Sequence, residues 1–229
     1  PVSGDHAIDM AHASEGARQR SHWQERAALL TPIAKSFSTD AGVDVASMGI
    51  QVHGGMGFIE ETGAARYLRD ARIAPIYEGT NGIQAIDLVL RKLPLSDGAQ
   101  VRGFIGELRE IAARTAASNR DDLGETAGYL DASLNDLETT TDWLLDRIKA
   151  GETETALAGA TPYQRLFGLA LTGAYLAKGA LASVDDGRGA HRAALCRFAA
   201  ENLLAETAAL KDRVISGAAS LAAARTVLA

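Results

Sequence analysis

Cysteine occurs once in this chain of 229 residues, at Cys196. No disulfide can form within one chain, which agrees with a reducing compartment and leads to the expectation of a cytoplasmic protein. Leu195, Phe198 and Ala199 beside it predict a small buried side chain. A reactive thiolate needs a cationic neighbour to lower its pKa. Arg197 is adjacent in sequence, but consecutive helical residues do not face one another, so Cys196 reads as structural. The five histidines show no metal-ligand spacing, and no metal is expected. No basic cluster interrupts a chain of net charge −6, which argues against a nucleic-acid partner. The longest nearly apolar run, Leu166 to Ala177, falls well short of the roughly twenty residues of a membrane-spanning helix. Arg165 and Lys178 close it on both sides, so it reads as a buried core helix. Pro1 to Met10 lacks the charged-then-apolar pattern of a signal segment. Aromatic residues make up 5% of the chain. Alanine and leucine dominate instead, and both lose little on entering a helix. No alternation typical of strands is sustained, so the predicted class is all-α.

Apolar periodicity and breaking residues divide the chain. His6 to Trp23 is compatible with a helix. Thr31 can cap a second helix whose first position is Pro32, running through Ile33, Phe37, Val43 and Ala46 to Gly49 or beyond. Gly54, Gly55 and Gly57 end it. A short helix is predicted from about Ala64 to Asp70, then a joint at Pro75, a turn over Tyr77–Thr80, and a helix from Asn81 through Ile83, Ile86, Val89 and Leu90. Leu93-Pro94-Leu95-Ser96-Asp97-Gly98 is the best linker. It separates a region 1–94 from a region 95–229. The latter carries four apolar stripes: Val101 to Ala112, Tyr129 to Ile148, Tyr163 to Val184, and Leu195, Phe198, Leu203, Leu210 and Val214. Their breaks are 119–122, Gly151 to Pro162 and 185–187. Short connections between four such helices predict an antiparallel bundle.

Two segments bear on chemistry. Gln51-Val52-His53-Gly54-Gly55-Met56-Gly57-Phe58 carries glycines that let backbone amides approach a ligand closely. Taken alone, it is equally a glycine-rich corner between helices, and no strand precedes it as a dinucleotide fingerprint requires. Ile76-Tyr77-Glu78-Gly79-Thr80-Asn81-Gly82-Ile83-Gln84 places a carboxylate beside an apolar Ala74-Pro75-Ile76 run. A glutamate kept from water there is a better base near neutral pH. Taken alone, Glu78 also reads as a carboxylate favoured at a helix N-terminus. Arg69-Asp70-Ala71-Arg72 reads as charges fixing helix packing, and His53 as a packing residue beside a ligand.

In that order and spacing, the segments resemble the acyl-CoA dehydrogenase family. The match is dense from Ser47 to Leu93 and weaker from Asp9 to Phe37. The run Ile73 to Leu88 with Arg91-Lys92-Leu93-Pro94 resembles the subgroup that bears an extra helical domain, to which 95–229 would correspond. The implied fold is the family's C-terminal helical bundle followed by a second helical bundle. The implied reaction oxidises an acyl-CoA thioester to a trans-2-enoyl-CoA with FAD as cofactor, within fatty acid metabolism. Glu78 would take the α-proton while the β-hydride passes to flavin N5. The Glu78 backbone N–H and a ribityl hydroxyl would hold the thioester carbonyl. Gln51, Val52, His53, Gly54 and Gly55 would contact FAD, commonly that of a neighbouring subunit. Thr80, Asn81 and Gly82 would contact FAD near the base, and Tyr77 and Gly79 would line the acyl site. Electron-transferring flavoprotein is the implied electron acceptor, and a homodimer or homotetramer the implied assembly.

The family pattern also includes an N-terminal helical domain and a middle β-domain, which have no counterpart here, so a fragment of a longer chain is expected. Near Trp23-Gln24-Glu25-Arg26 the family has a longer helix, turn and helix. Two other readings stand beside the dehydrogenase: an acyl-CoA oxidase using oxygen, and a noncatalytic helical assembly module.

Overall fold

A computed structural model describes residues 3–14, 16–182 and 187–228. Every regular element among them is helical, in agreement with the all-α expectation. The chain divides into two compact units, Pro1–Leu88 and Val89–Ala229.

The first unit is organised on one long helix. After α1 (Ser3–Ala13) comes α2 (Ala17–His53), 37 residues in length. The predicted continuity of His6 to Trp23 is broken at Gly16, whose backbone is extended with φ −90° and ψ 136°. The predicted helix start at Thr31-Pro32 is also corrected, since α2 runs straight through Pro32. Thr31 does not cap; its hydroxyl donates back to the Ala27 carbonyl at 2.8 Å. A proline inside a helix costs about 3 kcal/mol. Burial of Leu29, Leu30 and Ile33, each 1% exposed or less, offsets that cost at about 1.5–3 kcal/mol per side chain.

At its C-terminus α2 stops where predicted. Gly54 has φ 61° and ψ −146°, outside the helical region, and its N–H closes on Gln51 O at 3.0 Å. The short α3 (Gly55–Phe58), a 3₁₀ turn (Glu60–Thr62), α4 (Ala64–Ala71) and α5 (Asn81–Asp87) complete the unit. Helices α1, α3, α4 and α5 all lie against α2.

The irregular stretch after α5 contains a π-helical turn, Leu88–Lys92, and a 3₁₀ turn, Leu95–Gly98. The second unit then contains α6 (Ala99–Ala117), α7 (Thr126–Lys149), the short α8 (Thr153–Ala158), α9 (Ala160–Leu181), α10 (Gly189–Asn202) and α11 (Thr207–Leu228). Central α9 touches α6, α7, α10 and α11. Its Tyr163 and Phe167 are fully buried, with the Phe167 ring 6.2 Å from that of Phe104 of α6 and the Tyr163 hydroxyl 2.7 Å from that of Thr141 of α7.

The first two stripes match α6 and α7, and the third matches α9 as far as Leu181. Val184 and 185–186 lie outside the described residues. The fourth stripe requires correction, because it is two helices, so the bundle has five long helices among the described residues. On α10 the buried side is made of Ala193, Cys196, Ala199 and Ala200, whereas Leu195 and Phe198 are 47% and 59% exposed. Small residues occupy the packed face because they permit close approach to the neighbouring helix.

Candidate active site

The chain from Ile73 to Asn81 forms a knot of short-range bonds. Ile73 O accepts from Ile76 N at 2.9 Å and from Tyr77 N at 3.1 Å, and Pro75 O accepts from Asn81 N at 3.0 Å. Between these closures the backbone turns left-handed twice, at Glu78 (φ 55°) and Gly79 (φ 82°). Only glycine enters that region freely, so position 79 suits its residue. A Cβ on Gly79 would also lie 3.3 Å from Gln84 Nε2. Thr80 caps α5, its hydroxyl accepting from Ile83 N at 3.4 Å, as its residue type predicts.

Side chains from α2 and α5 pin this turn. Lys35 Nζ donates to Gly79 O at 2.9 Å and to Asn81 Oδ1 at 2.8 Å, and stands 6.0 Å from the Tyr77 ring centroid. Asn81 Nδ2 meets Asp40 Oδ1 at 2.7 Å, Thr39 Oγ1 at 3.0 Å and Ser36 O at 3.2 Å. From the other side, Gln84 Nε2 donates to Glu78 O at 2.9 Å. Lys35, Thr39, Asp40 and the anchoring role of Gln84 were not singled out from sequence. The signal that could have found them was the helical spacing of Lys35 with Thr39 and of Ser36 with Asp40, two polar pairs on one face of α2.

Glu78 and Gly79 are exposed, and Tyr77 is 52% exposed. The expectation that this region keeps Glu78 away from water is therefore corrected. Pro75 behind it is buried, but nothing among the described residues covers the carboxylate. Nor does any hydrogen bond among the described residues take up the Glu78 backbone N–H.

The second cluster sits at the far end of α2. Gln51, Val52, His53, Gly54 and Gly55 are all exposed, Val52 at 86%. His53 Nδ1 lies 2.8 Å from Gly49 O, a local contact within its own helix. The three glycines differ in what they do. Gly57 is required by packing, because a Cβ there would lie 2.5 Å from Ile50 O and 2.8 Å from His53 Cβ. Gly54 is required by its positive φ. At Gly55 a Cβ would meet nothing within 4 Å, so the fold itself gives no reason for its bare backbone.

Beside this cluster, α2 and α4 border a groove of about 450 Å³ lined by Val45, Gly49, His53 and Tyr67 among others. Arg69 pairs with Glu60 at 3.1 Å, both more than 60% exposed, a contact of small energetic weight. At 1.5 Å per residue, Thr39 and Gln51 are about 18 Å apart along α2. One predicted group thus ends α2, while the other lies on a turn anchored to α2 by Lys35, Thr39 and Asp40. No group of metal-ligating side chains occurs among the described residues.

Residues 9–93 match the family described as acyl-CoA dehydrogenase, C-terminal domain, and residues 104–225 that described as acetyl-CoA dehydrogenase C-terminal like. The chain belongs to the acyl-CoA dehydrogenase family. It is 41% identical over 184 residues to 3-methylmercaptopropionyl-CoA dehydrogenase of Ruegeria pomeroyi, covering 77% of this chain and 29% of that protein. It is 31% identical over 106 residues to a butyryl-CoA dehydrogenase of Syntrophomonas wolfei, covering 46% and 17%. The crystal structure of Caenorhabditis elegans ACDH-11 in complex with C11-CoA shares the fold, with TM-score 0.63, 20% identity, and coverage of 88% and 32%. The chain thus spans less than a third of the length of each of these proteins.

Proposed function

We propose that this chain is the base-bearing region of an FAD-dependent acyl-CoA dehydrogenase that oxidises an acyl-CoA thioester to a trans-2-enoyl-CoA, with Glu78 as the base. The observation that carries the reading is the Tyr77–Thr80 turn. A non-glycine residue at positive φ costs on the order of 1–3 kcal/mol and persists where its surroundings over-determine it. Here Lys35, Gln84 and the Asn81 N–H closure do so, around a carboxylate that makes no structural contact of its own among the described residues.

These groups define the chemistry. The Glu78 carboxylate takes the α-proton, and the electrons of that C–H bond become the new C=C bond as the β-hydrogen leaves with its electron pair. Bound FAD would supply the acceptor for that hydride. The free Glu78 N–H is the group that would donate to the thioester oxygen as charge develops there, and such donors lower the barrier most where water is excluded. Since Glu78 is exposed in this region, the acyl chain, the flavin and other parts of the enzyme would provide the cover.

The residues present fit a flavin. Gln51, Val52, His53, Gly54 and Gly55 form an exposed edge whose Gly55 is bare without a reason in the fold, suited to close approach by FAD. Thr80, Asn81 and Gly82 lie next to the base. The Asn81 side chain is engaged on α2 and its N–H on Pro75 O, so it would sit beside FAD while holding the turn. Tyr77 and Gly79 flank Glu78 and would line the acyl thioester site. The flavin edge at the end of α2 and the turn that bears the base would serve different flavins, in a homodimer or homotetramer. In this reading residues 1–94 are the catalytic C-terminal domain, residues 95–229 an additional helical domain, and electron-transferring flavoprotein the electron acceptor. The test is anaerobic titration of the flavin-loaded enzyme containing this region with acyl-CoA esters. Bleaching of the flavin absorbance with formation of an enoyl-CoA is the expected result, and an unchanged spectrum across short, medium and branched esters would refute the reading.

A further inference from the structure

We infer that Lys35 is a positioning residue for the Glu78 base, locking the one soft joint of the turn that presents it. The inference rests on the reading of Glu78 as base. Each peptide following Glu78 has one side-chain anchor. The Glu78–Gly79 peptide is held through Glu78 O by Gln84 at 2.9 Å, and the Gly79–Thr80 peptide through Gly79 O by Lys35 at 2.9 Å. Gly79, at φ 82°, has the greatest conformational freedom in the turn and directly follows the base. Lys35 is the group that holds its carbonyl, 44 residues away in sequence.

The lysine is itself aimed. Its ammonium only donates, and the Asp40 carboxylate only accepts. The Asn81 amide between them therefore has one orientation, Oδ1 toward Lys35 at 2.8 Å and Nδ2 toward Asp40 at 2.7 Å. Thr39 accepts from the same Nδ2 at 3.0 Å while donating to Lys35 O at 2.8 Å, which ties the cradle to the α2 backbone. The ammonium also faces the Tyr77 ring at 6.0 Å, on the other side of Glu78 in sequence. A rigid helix thus fixes the residues before and after the carboxylate, and Lys35 acts on the proton transfer through geometry without touching the reacting atoms.

The test uses two preparations. In the flavin-loaded enzyme containing this region, Lys35→Met is expected to lower the rate of acyl-CoA-dependent flavin reduction by about 10²-fold, with the acyl-CoA Kd changed by less than about threefold, and Lys35→Arg to recover most of the rate. In this chain alone, hydrogen exchange of the Tyr77 and Asn81 amides, whose bonds to Ile73 O and Pro75 O close the turn, is expected to quicken in Lys35→Met, while α2 and the second unit keep their protection. Lys35→Gln, which retains a donor, carries the same expectations in weaker form should the methionine variant fold poorly. Parent rates of reduction in Lys35→Met or Lys35→Gln overturn the inference, as does a slow variant with unchanged exchange at the turn or one impaired equally in affinity and rate. Glu78→Gln separates the two readings. If it reduces flavin at the parent rate, the base assignment falls and the inference with it. If it is inactive beside a fully active Lys35→Met, the inference alone falls.

Discussion

Glu78 sits at φ 55° with its carboxylate exposed and its flanking carbonyls tied down, so a change confined to the carboxylate should leave the turn intact. Glu78→Gln keeps shape and removes the proposed proton acceptor. In the flavin-loaded enzyme it is expected to lower flavin reduction by about 10²–10⁴-fold, the usual weight of a general base, with the thermal midpoint near the parent value. Stopped-flow absorbance with saturating acyl-CoA measures it. The glycines give a second residue-level contrast. Gly57→Ala drives a Cβ against Ile50 O, a backbone atom that moves only with the end of α2, and is expected to cost about 1–3 kcal/mol in urea unfolding. Gly55→Ala meets open space and should change stability by no more than about 0.5 kcal/mol. Its effect should instead appear as looser FAD in the complete enzyme, by equilibrium dialysis. Equal flavin affinity in parent and Gly55→Ala would remove Gly55 from the flavin edge. The turn was legible from Pro75, Gly79 and Thr80 because each acts on its own backbone. Lys35 was not, because its partners are set by how α5 lies on α2, which no local pattern records.

At the scale of elements, sequence periodicity found α6, α7 and α9, whose apolar stripes are long and backed by tertiary burial. It failed where a long-range contact decides the boundary. Thr31-Pro32 has the chemistry of a helix start, yet apolar residues on both sides of it are buried and the helix continues. Nothing between Leu195 and Val214 is a glycine or proline, yet the chain breaks at a 3₁₀ turn, Leu204–Glu206, between α10 and α11. Asp136 of α7 fixes the start of α11, accepting from the Thr207 hydroxyl at 2.9 Å and from Lys211 at 2.6 Å.

The same bundle makes a pH prediction. Complete burial pushes the Tyr163 phenol well above its ordinary range, its bond to Thr141 opposing only part of that shift. Burial likewise raises the Cys196 thiol, and the bond to Asp136 raises the Lys211 ammonium. All three hold their protons more tightly folded than unfolded. Above about pH 9, where such groups begin to titrate in an unfolded chain, the unfolded state binds fewer protons and stability falls as pH rises. Urea midpoints should be flat near neutrality and decline through pH 9–11, and Tyr163→Phe should make the decline shallower. An unchanged slope in that variant would show that Tyr163 does not drive it.

At the scale of the molecule, the candidate site residues are exposed and not enclosed by the described residues around them. The chain spans 29% of its Ruegeria relative and 32% of the structural neighbour, so most of each of those proteins lies beyond what aligns here. Within the described residues the candidate flavin edge and the candidate base are both exposed. A dinucleotide of FAD's size gains affinity by being buried along much of its length, and small-molecule sites usually enclose most of their ligand. One exposed edge with a bare glycine offers contact but no enclosure. The 229-residue chain alone is therefore expected to bind FAD weakly or not at all, even though its residues are suited to one face of the cofactor. Equilibrium dialysis of the purified chain against FAD measures this directly, with Gly55→Ala as a control for specific contact at the edge. A stoichiometric yellow complex surviving gel filtration would mean that the two units supply the missing enclosure themselves, and the assignment of flavin cover to other parts of the enzyme would have to be abandoned.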